Sequence, residues 1–266
     1  MLSSTESLPR QIRFDGAHNF RDLGGYPLGC GGSFTPGRRY RSDHLGRLTD
    51  ADRQRLSALG IATVVDLRRA SERAENPDLL TGTGINEIWL PVEAEGADVI
   101  HIRREVEAGR VDAQAASEFL IEANRLFVTR FARVYSEFLH LLLQPQSLPL
   151  VFHCSAGKDR AGYAAALTLL VAGASKHHVM ADYLATNLCN QEHRRALMAG
   201  LPESAGVETT RQALNVLMQV EERYLTAAFT EIDTGYLDAS DYMSRALGFD
   251  ADKQARLKAL LTHSGI

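Results

Sequence analysis

The chain has little of what several common chemistries require. Its three cysteines, Cys30, Cys154 and Cys189, are odd in number and far apart. That excludes a disulfide framework and a zinc-finger pattern, and it suits a reducing compartment. No segment clusters His, Cys and carboxylates in a ligand spacing, so neither a metal nor a cofactor is expected. No apolar run approaches membrane-spanning length, so no integral membrane segment is expected. The opening MLSSTESLPRQIRF lacks the apolar centre of a secretory leader. The expectation is a cytoplasmic protein, with export lacking a cleaved signal left open. An excess of basic charge is also missing: 29 Lys and Arg stand against 33 Asp and Glu, a net charge of -4. That balance argues against a general nucleic-acid binder. Nothing in the sequence speaks to the oligomeric state.

What is present is one ordinary globular composition, 45% apolar over 266 residues, enough for a sizeable core. Residues 1–12 read as a flexible polar tail and 13–266 as a single domain. The informative stretch runs from Leu150 to Gly173, LVFHCSAGKDRAGYAAALTLLVAG. Leu150-Val151-Phe152 reads as a buried strand, and Ala161 to Ala172 as a buried helix that Gly173 ends. Between them, Cys154 and Arg160 enclose five residues, Ser155, Ala156, Gly157, Lys158 and Asp159.

A turn that enters a helix N-terminus aims backbone N–H groups at one point, where the helix dipole favours an anion. Gly157 permits a close backbone curl. Arg160 offers a planar fork of donors suited to two phosphate oxygens. A thiol at the base of such a cradle has its thiolate stabilised, and thiols so placed fall from about 8.5 to roughly 3.5–7.5 in pKa. Cys154 is therefore the candidate nucleophile, and residues 155–160 the candidate phosphate-binding loop. Gly157-Lys158 is not an ATP-binding loop, since Asp159 stands where that motif needs Ser or Thr. Cys189 and Arg195 share the same spacing but lack the strand and the glycine, so Cys189 reads as structural.

His153-Cys154, five residues and Arg160 resemble the phosphate loop of cysteine-dependent protein tyrosine phosphatases. The fuller string HCSAGKDRAG is similar to the bacterial and fungal branch that includes mycobacterial PtpB-like enzymes. Asn19-Phe-Arg-Asp-Leu-Gly-Gly-Tyr26, Arg41-Ser42-Asp43, Val179 to Asn187 and the C-terminal YMSRALGFDADKQARLKALL extend the resemblance along the chain. The resemblance implies a tyrosine-phosphatase-like α/β fold: a central, mostly parallel sheet, flanking helices and extra C-terminal helices. It implies hydrolysis of phosphotyrosine, in some members of phosphoserine and phosphothreonine, through a phosphocysteine. It implies phosphorylated proteins or phosphoinositides as partners. A phosphate-reading module with weak turnover is the reading from another class. The residue after the loop arginine is usually Ser or Thr in this branch and here is Ala161, which predicts slow hydrolysis of the phosphoenzyme.

Two aspartates compete to protonate the leaving oxygen, Asp66 being the preferred acid and Asp159 its helper or substitute. Asp66 ends the β-branched run from Ile61, where ligands gather in open α/β sheets, though an ion pair with Arg68 would also explain it. Asp159 lies in the loop itself. Lys158 reads as rim charge for a second phosphate or a phosphoinositide headgroup, or as a solvated lysine. Asn19, Arg21 and Asp22 read as fixing loop architecture.

Thr49 to Leu59 reads as a capped helix, Ile85 to Pro91 as a strand, and Val92 to Arg110 as an unassigned mobile excursion. A helical stretch from Asp112 to Leu143 is expected to break near Asn124, with Phe127, Phe131, Val134, Phe138 and Leu141 as its core stripe. Ser175–Met198, Val207–Phe229, Asp238–Leu247 and Ala251–Leu261 read as helices. The Val207–Phe229 helix is expected either to act as a lid or to pack as core.

Overall fold

The computed structural model describes residues 10–29, 31–93, 99–201 and 207–263, so the expected tail falls mostly outside the described residues. In chain order the strands are β1 (Arg21–Asp22), β2 (Ser33–Phe34), β3 (Arg39–Ser42), β4 (Thr63–Asp66), β5 (Asn86–Trp89), β6 (Leu150–His153) and β7 (Thr262–His263). Five of them form one sheet in the order β1-β3-β6-β4-β5. β3, β6, β4 and β5 run parallel, and β1 is an antiparallel edge on β3. β2 and β7 pair separately, joining the two ends of the chain.

The parallel register places Ser42, Asp66 and His153 level with one another at the carboxyl ends of their strands. Such ends are where an open α/β sheet presents its site. Every residue of β3, β4 and β6 is buried, as parallel strands covered on both faces should be.

The helices are α1 (Asp50–Ala58), α2 (Ala70–Glu75), α3 (Val99–Glu107), α4 (Ala113–Thr129), α5 (Ala132–Leu142), α6 (Arg160–Ala172), α7 (Lys176–Cys189), α8 (Gln191–Ala199), α9 (Val207–Met218), α10 (Glu222–Gly235), α11 (Ala239–Arg245) and α12 (Ala251–Leu261). α1 begins on the expected cap: the Thr49 hydroxyl accepts from Asp52 N, and the Asp52 carboxylate accepts from Thr49 N. α6 is buried almost throughout and ends at Gly173 in the left-handed conformation. The unassigned excursion contains α3.

One expected break moves and one unexpected break appears. The long helical stretch stays intact at Asn124, because that buried side chain donates to the Leu120 carbonyl one turn back. It breaks instead at Arg130–Phe131. The inward stripe beyond the break becomes Tyr135, Phe138, Leu139 and Leu142, leaving Val134 and Leu141 half-buried. The expected Val207–Phe229 helix is two helices. The Asn187 side chain closes the gap between them by donating to Val220 O and accepting from Val220 N, a pairing that replaces the helical bonds lost there.

Candidate active site

β6 delivers Cys154 to the carboxyl edge of the sheet, and α6 begins six residues later at Arg160. Between them the loop is held by its carbonyls. Ser155 O accepts from His44 N, and Ala156 O and Gly157 O from the Asn19 side-chain amide. Gly157 O also accepts from the Arg41 guanidinium, which reaches Lys158 O as well. In a trans peptide the N–H points opposite the carbonyl. Outward carbonyls at 155 to 158 therefore turn the amides of Ala156, Gly157, Lys158 and Asp159 toward the loop's centre. Gly157 takes φ +66°, and a Cβ there would lie 2.4 Å from Ser42 O. The glycine is needed both for the turn and for the close approach.

The N-terminal residues read as architectural are the framework of this cradle. Arg21 and Arg41 converge on the buried Asp182 of α7, and Arg21 also donates to Thr186 and to the Asn19 side chain. Burial alone would favour the neutral acid, but the two guanidiniums hold the Asp182 carboxyl below its usual range. Asp43 accepts from His18 N and Asn19 N, and Asp22 from Gly24 N and Gly37 N.

Cys154 is 2% exposed and Arg160 6% exposed. The Arg160 guanidinium is gripped by Glu72 of α2, with Nη1 to Oε2 at 2.5 Å and Nη2 to Oε1 at 2.7 Å. That leaves three of its five N–H groups for a ligand. The Ser155 hydroxyl donates to the same carboxylate. Desolvation opposes ionisation of Glu72, yet Arg160 outweighs it and lowers its pKa to about 2. Glu72 was invisible in the sequence, in a stretch that reads only as polar.

The two candidate acids sit differently. Asp66 has no exposed surface, and its carboxylate is given to Arg68, whose Nε reaches Oδ1 and whose Nη2 reaches Oδ2, each at 2.9 Å. The ion-pair alternative for Asp66 is the geometry found. Asp159 accepts from the Tyr183 hydroxyl at 3.2 Å on Oδ1, and its Oδ2 lies 2.8 Å from Lys158 Nζ. Lys158 is neither a solvated lysine nor a free rim charge. It is 3% exposed, and its ammonium is held by Asp159 and by the Gln219 carbonyl between α9 and α10.

Behind Cys154 the fold assembles a group that no spacing announced. His153, Asp66 and Asp78 bring ring nitrogen and carboxylate oxygens within 4.8 Å of one another. These are donors a metal could use, but the Arg68 guanidinium stands on both carboxylates, 2.8 Å from Asp78 and 2.9 Å from Asp66, and supplies the positive charge there. Cys189 is a buried thiol that ends α7, and burial pushes its pKa up, as for a structural cysteine. Arg195, its partner in spacing, lies exposed on the next helix.

Comparison with known proteins finds matches along almost the whole chain. The profile of the tyrosine phosphatase family covers residues 12–263. A protein named as a tyrosine-protein phosphatase in Cupriavidus necator is 30% identical over 239 residues, 90% of this chain and 85% of that one. The triple specificity protein phosphatase PtpB of Mycobacterium tuberculosis is 28% identical over 272 residues, 92% of this chain and 97% of that one. Among solved structures, the core catalytic domain of the PP-IP phosphatase SIW14 from S. cerevisiae matches with TM-score 0.35 at 12% identity, covering 77% and 90% of the two chains. With the profile spanning both the N-terminal framework and the cysteine loop, the chain belongs to the tyrosine phosphatase family.

Proposed function

We propose that this chain hydrolyses phosphotyrosine esters by way of a phosphocysteine on Cys154. The observation that carries the reading is the outward anchoring of the loop carbonyls, which turns four amides toward the centre of the loop that follows Cys154. In the first step the Cys154 thiolate attacks phosphorus, the ester P–O bond breaks, and the leaving oxygen takes a proton from Asp159. In the second, the Asp159 carboxylate takes a proton from the attacking water, the S–P bond breaks, and the Cys154 thiolate and inorganic phosphate are released. The inward amides and the free N–H groups of Arg160 stabilise the charge on the equatorial oxygens in both steps.

Asp159 is assigned the acid's role because it sits in the loop, whereas the Asp66 carboxylate is committed to Arg68. Asp159 reaches that role by exchanging its present partners, Lys158 and Tyr183, for the leaving oxygen. The relative named for triple specificity extends the candidate substrates to phosphoserine and phosphothreonine. A phosphoinositide reading drew on a free Lys158, and the commitment of that ammonium to Asp159 and Gln219 weakens it. The functional unit is taken as residues 13–266, since β2 pairs with β7 and ties both ends together. No helix among the described residues is long and apolar enough to cross a membrane. A working thiolate needs a reducing compartment, for which the cytoplasm is proposed.

The test is steady-state phosphate release over pH 5 to 8 with chelator present, wild type beside Cys154→Ser. Phosphotyrosine peptide, phosphoserine peptide and phosphoinositide are offered in parallel. Turnover that survives chelator, favours phosphotyrosine and vanishes in the serine variant is expected. Tight binding without turnover in the wild type would make the chain a phosphate-reading module instead.

A further inference from the structure

We propose that Asp78 is a positioning residue for the nucleophile, one that keeps the His153 imidazole doubly protonated immediately behind Cys154. With Cys154 read as the nucleophile, as above, this gives the thiolate a second fixed positive neighbour besides the Arg160 guanidinium of the loop.

The two ring nitrogens carry the argument. His153 is wholly buried at the end of β6. Its Nε2 lies 3.0 Å from Asp78 Oδ2, an ion-pair contact not aligned as a hydrogen bond, and its Nδ1 lies 3.3 Å from the Cys154 carbonyl. Both neighbours are acceptors. A neutral imidazole has one N–H and one lone pair, so one nitrogen would point its lone pair at another acceptor. Only the imidazolium offers a donor to each.

The surrounding charge agrees. From β4 and the residues after it, His153 faces the Asp66 carboxylate at 3.9 Å and the Arg68 guanidinium. From the segment after α2 it faces Asp78, and from the segment after β3 it faces His44. Burial and the nearby cations, Arg47 first, push His44 down to about 4, so it is neutral at pH 7. Arg73 approaches Asp66 from the solvent side at 3.7 Å but is shared with Glu87. Two buried carboxylates against one buried guanidinium leave one negative charge, which an imidazolium completes; uncompensated buried charge is strongly unfavourable. Burial acts against that cation, and Asp78, followed by Asp66, outweighs it and raises the pKa of His153.

Asp78 is itself held firmly. It accepts from Leu45 N at 2.9 Å and from Arg68 Nη2 at 2.8 Å, and its side chain has no exposed surface. It therefore positions His153 through a rigid contact and touches no substrate.

The experiment reads charge state and thiol reactivity separately from turnover. In wild type labelled with 15N-histidine, the His153 ring is expected to remain doubly protonated at pH 7.5; a neutral tautomer there overturns the proposal without any variant. In Asp78→Asn the ring is expected to be neutral, and alkylation of Cys154 by iodoacetamide at pH 6 to slow about tenfold. The difference should shrink by pH 9, and Asp78→Glu should recover most of the rate. An unchanged rate at pH 6, or an equal slowing at every pH, overturns it. If Asp78→Asn fails to fold, the wild-type spectrum decides. Equal turnover of wild type and Cys154→Ser would instead remove the nucleophile reading, and the spectrum distinguishes that failure from this one.

Discussion

Arg160 and Glu72 form a two-pronged ion pair across 88 residues of sequence, planar group against planar group. A guanidinium held at two points cannot rotate about its own axis, so its remaining donors keep one aim. Glu72 gains that hold from the start of α2, where its carboxylate also accepts from Arg69 N at 2.9 Å. A short helix thus sets the orientation of Arg160, the arginine proposed to hold the phosphoryl group.

The pair predicts a stability loss in acid. The pKa of Glu72 falls from 4.5 to about 2 on folding. A depressed carboxyl stabilises the fold above its unfolded pKa and loses that contribution as pH falls through the folded one. The shift corresponds to roughly 3 kcal/mol, lost between about pH 4.5 and pH 2. Chemical denaturation of wild type and Glu72→Gln should show a gap at pH 7 that closes toward pH 2. The same variant is expected to lower kcat/KM about a hundredfold through the misaimed arginine. A gap that persists unchanged at pH 2 would mean the carboxylate is not the source.

Gly157→Ala is expected to abolish turnover while leaving a folded protein. Its φ of +66° strains any other residue, and the new methyl would sit 2.4 Å from Ser42 O, a backbone atom of β3 that cannot swing away. The loop must shift, and the inward amides with it. The cost in stability is about 1–3 kcal/mol, and kcat should fall at least a hundredfold. Retention of activity would show that the amide cradle is not what binds the phosphoryl group.

Asp66 and Asp159 should separate by the kind of damage they cause. Asp66→Asn leaves Arg68 short of a buried partner, a break that typically costs 3–5 kcal/mol, and should appear mainly as a lower Tm. Asp159→Asn takes the carboxylate from the buried Lys158 and should lower Tm as well, but it alone should cut kcat by about 10²–10⁴ on poor leaving groups. A substrate whose leaving oxygen needs no proton, such as p-nitrophenyl phosphate, should be much less affected. Reversal of the two patterns would return the acid's role to Asp66.

Ala161 offers no hydroxyl at the start of α6, where it is fully buried. Rapid-quench kinetics should show a burst of released alcohol followed by slower phosphate release. Ala161→Ser should diminish the burst and raise the steady-state rate several-fold, about 1 kcal/mol off the second barrier. A wild type with no burst, limited by the first step, would contradict this.

The parts legible in the sequence are those whose causes are local. Thr49 and Asp52 cap α1 from within one turn, and a strand, a glycine turn and an alanine-rich helix mark the Cys154 loop wherever they occur. Asp66 was legible by position but not by role, because its partner Arg68 explains it without catalysis. The break expected at Asn124 was misplaced because a buried amide can bond its own helix as well as end it. Glu72, Asp78 and Asp182 were out of reach for another reason. Each acts on residues brought near only by the sheet, as with Asp182 and Arg21 at a separation of 161. A polar residue in a polar stretch carries no periodicity that would reveal such a partner.

The pairing of β2 with β7 has a bearing on synthesis. Thr35 N donates to Leu261 O, and Arg39 at the head of β3 donates to Leu260 O. β3 is the strand whose last residue, Ser42, presses on Gly157. Part of the scaffold beside the phosphate loop thus waits for residues near 260 to emerge from the ribosome, long after Cys154 has done so. A nascent chain therefore carries Cys154 through the synthesis of a further stretch of chain, up to Leu260 and Leu261, before the full structure beside it can form. That structure is complete only when α12 docks on β2 and β3.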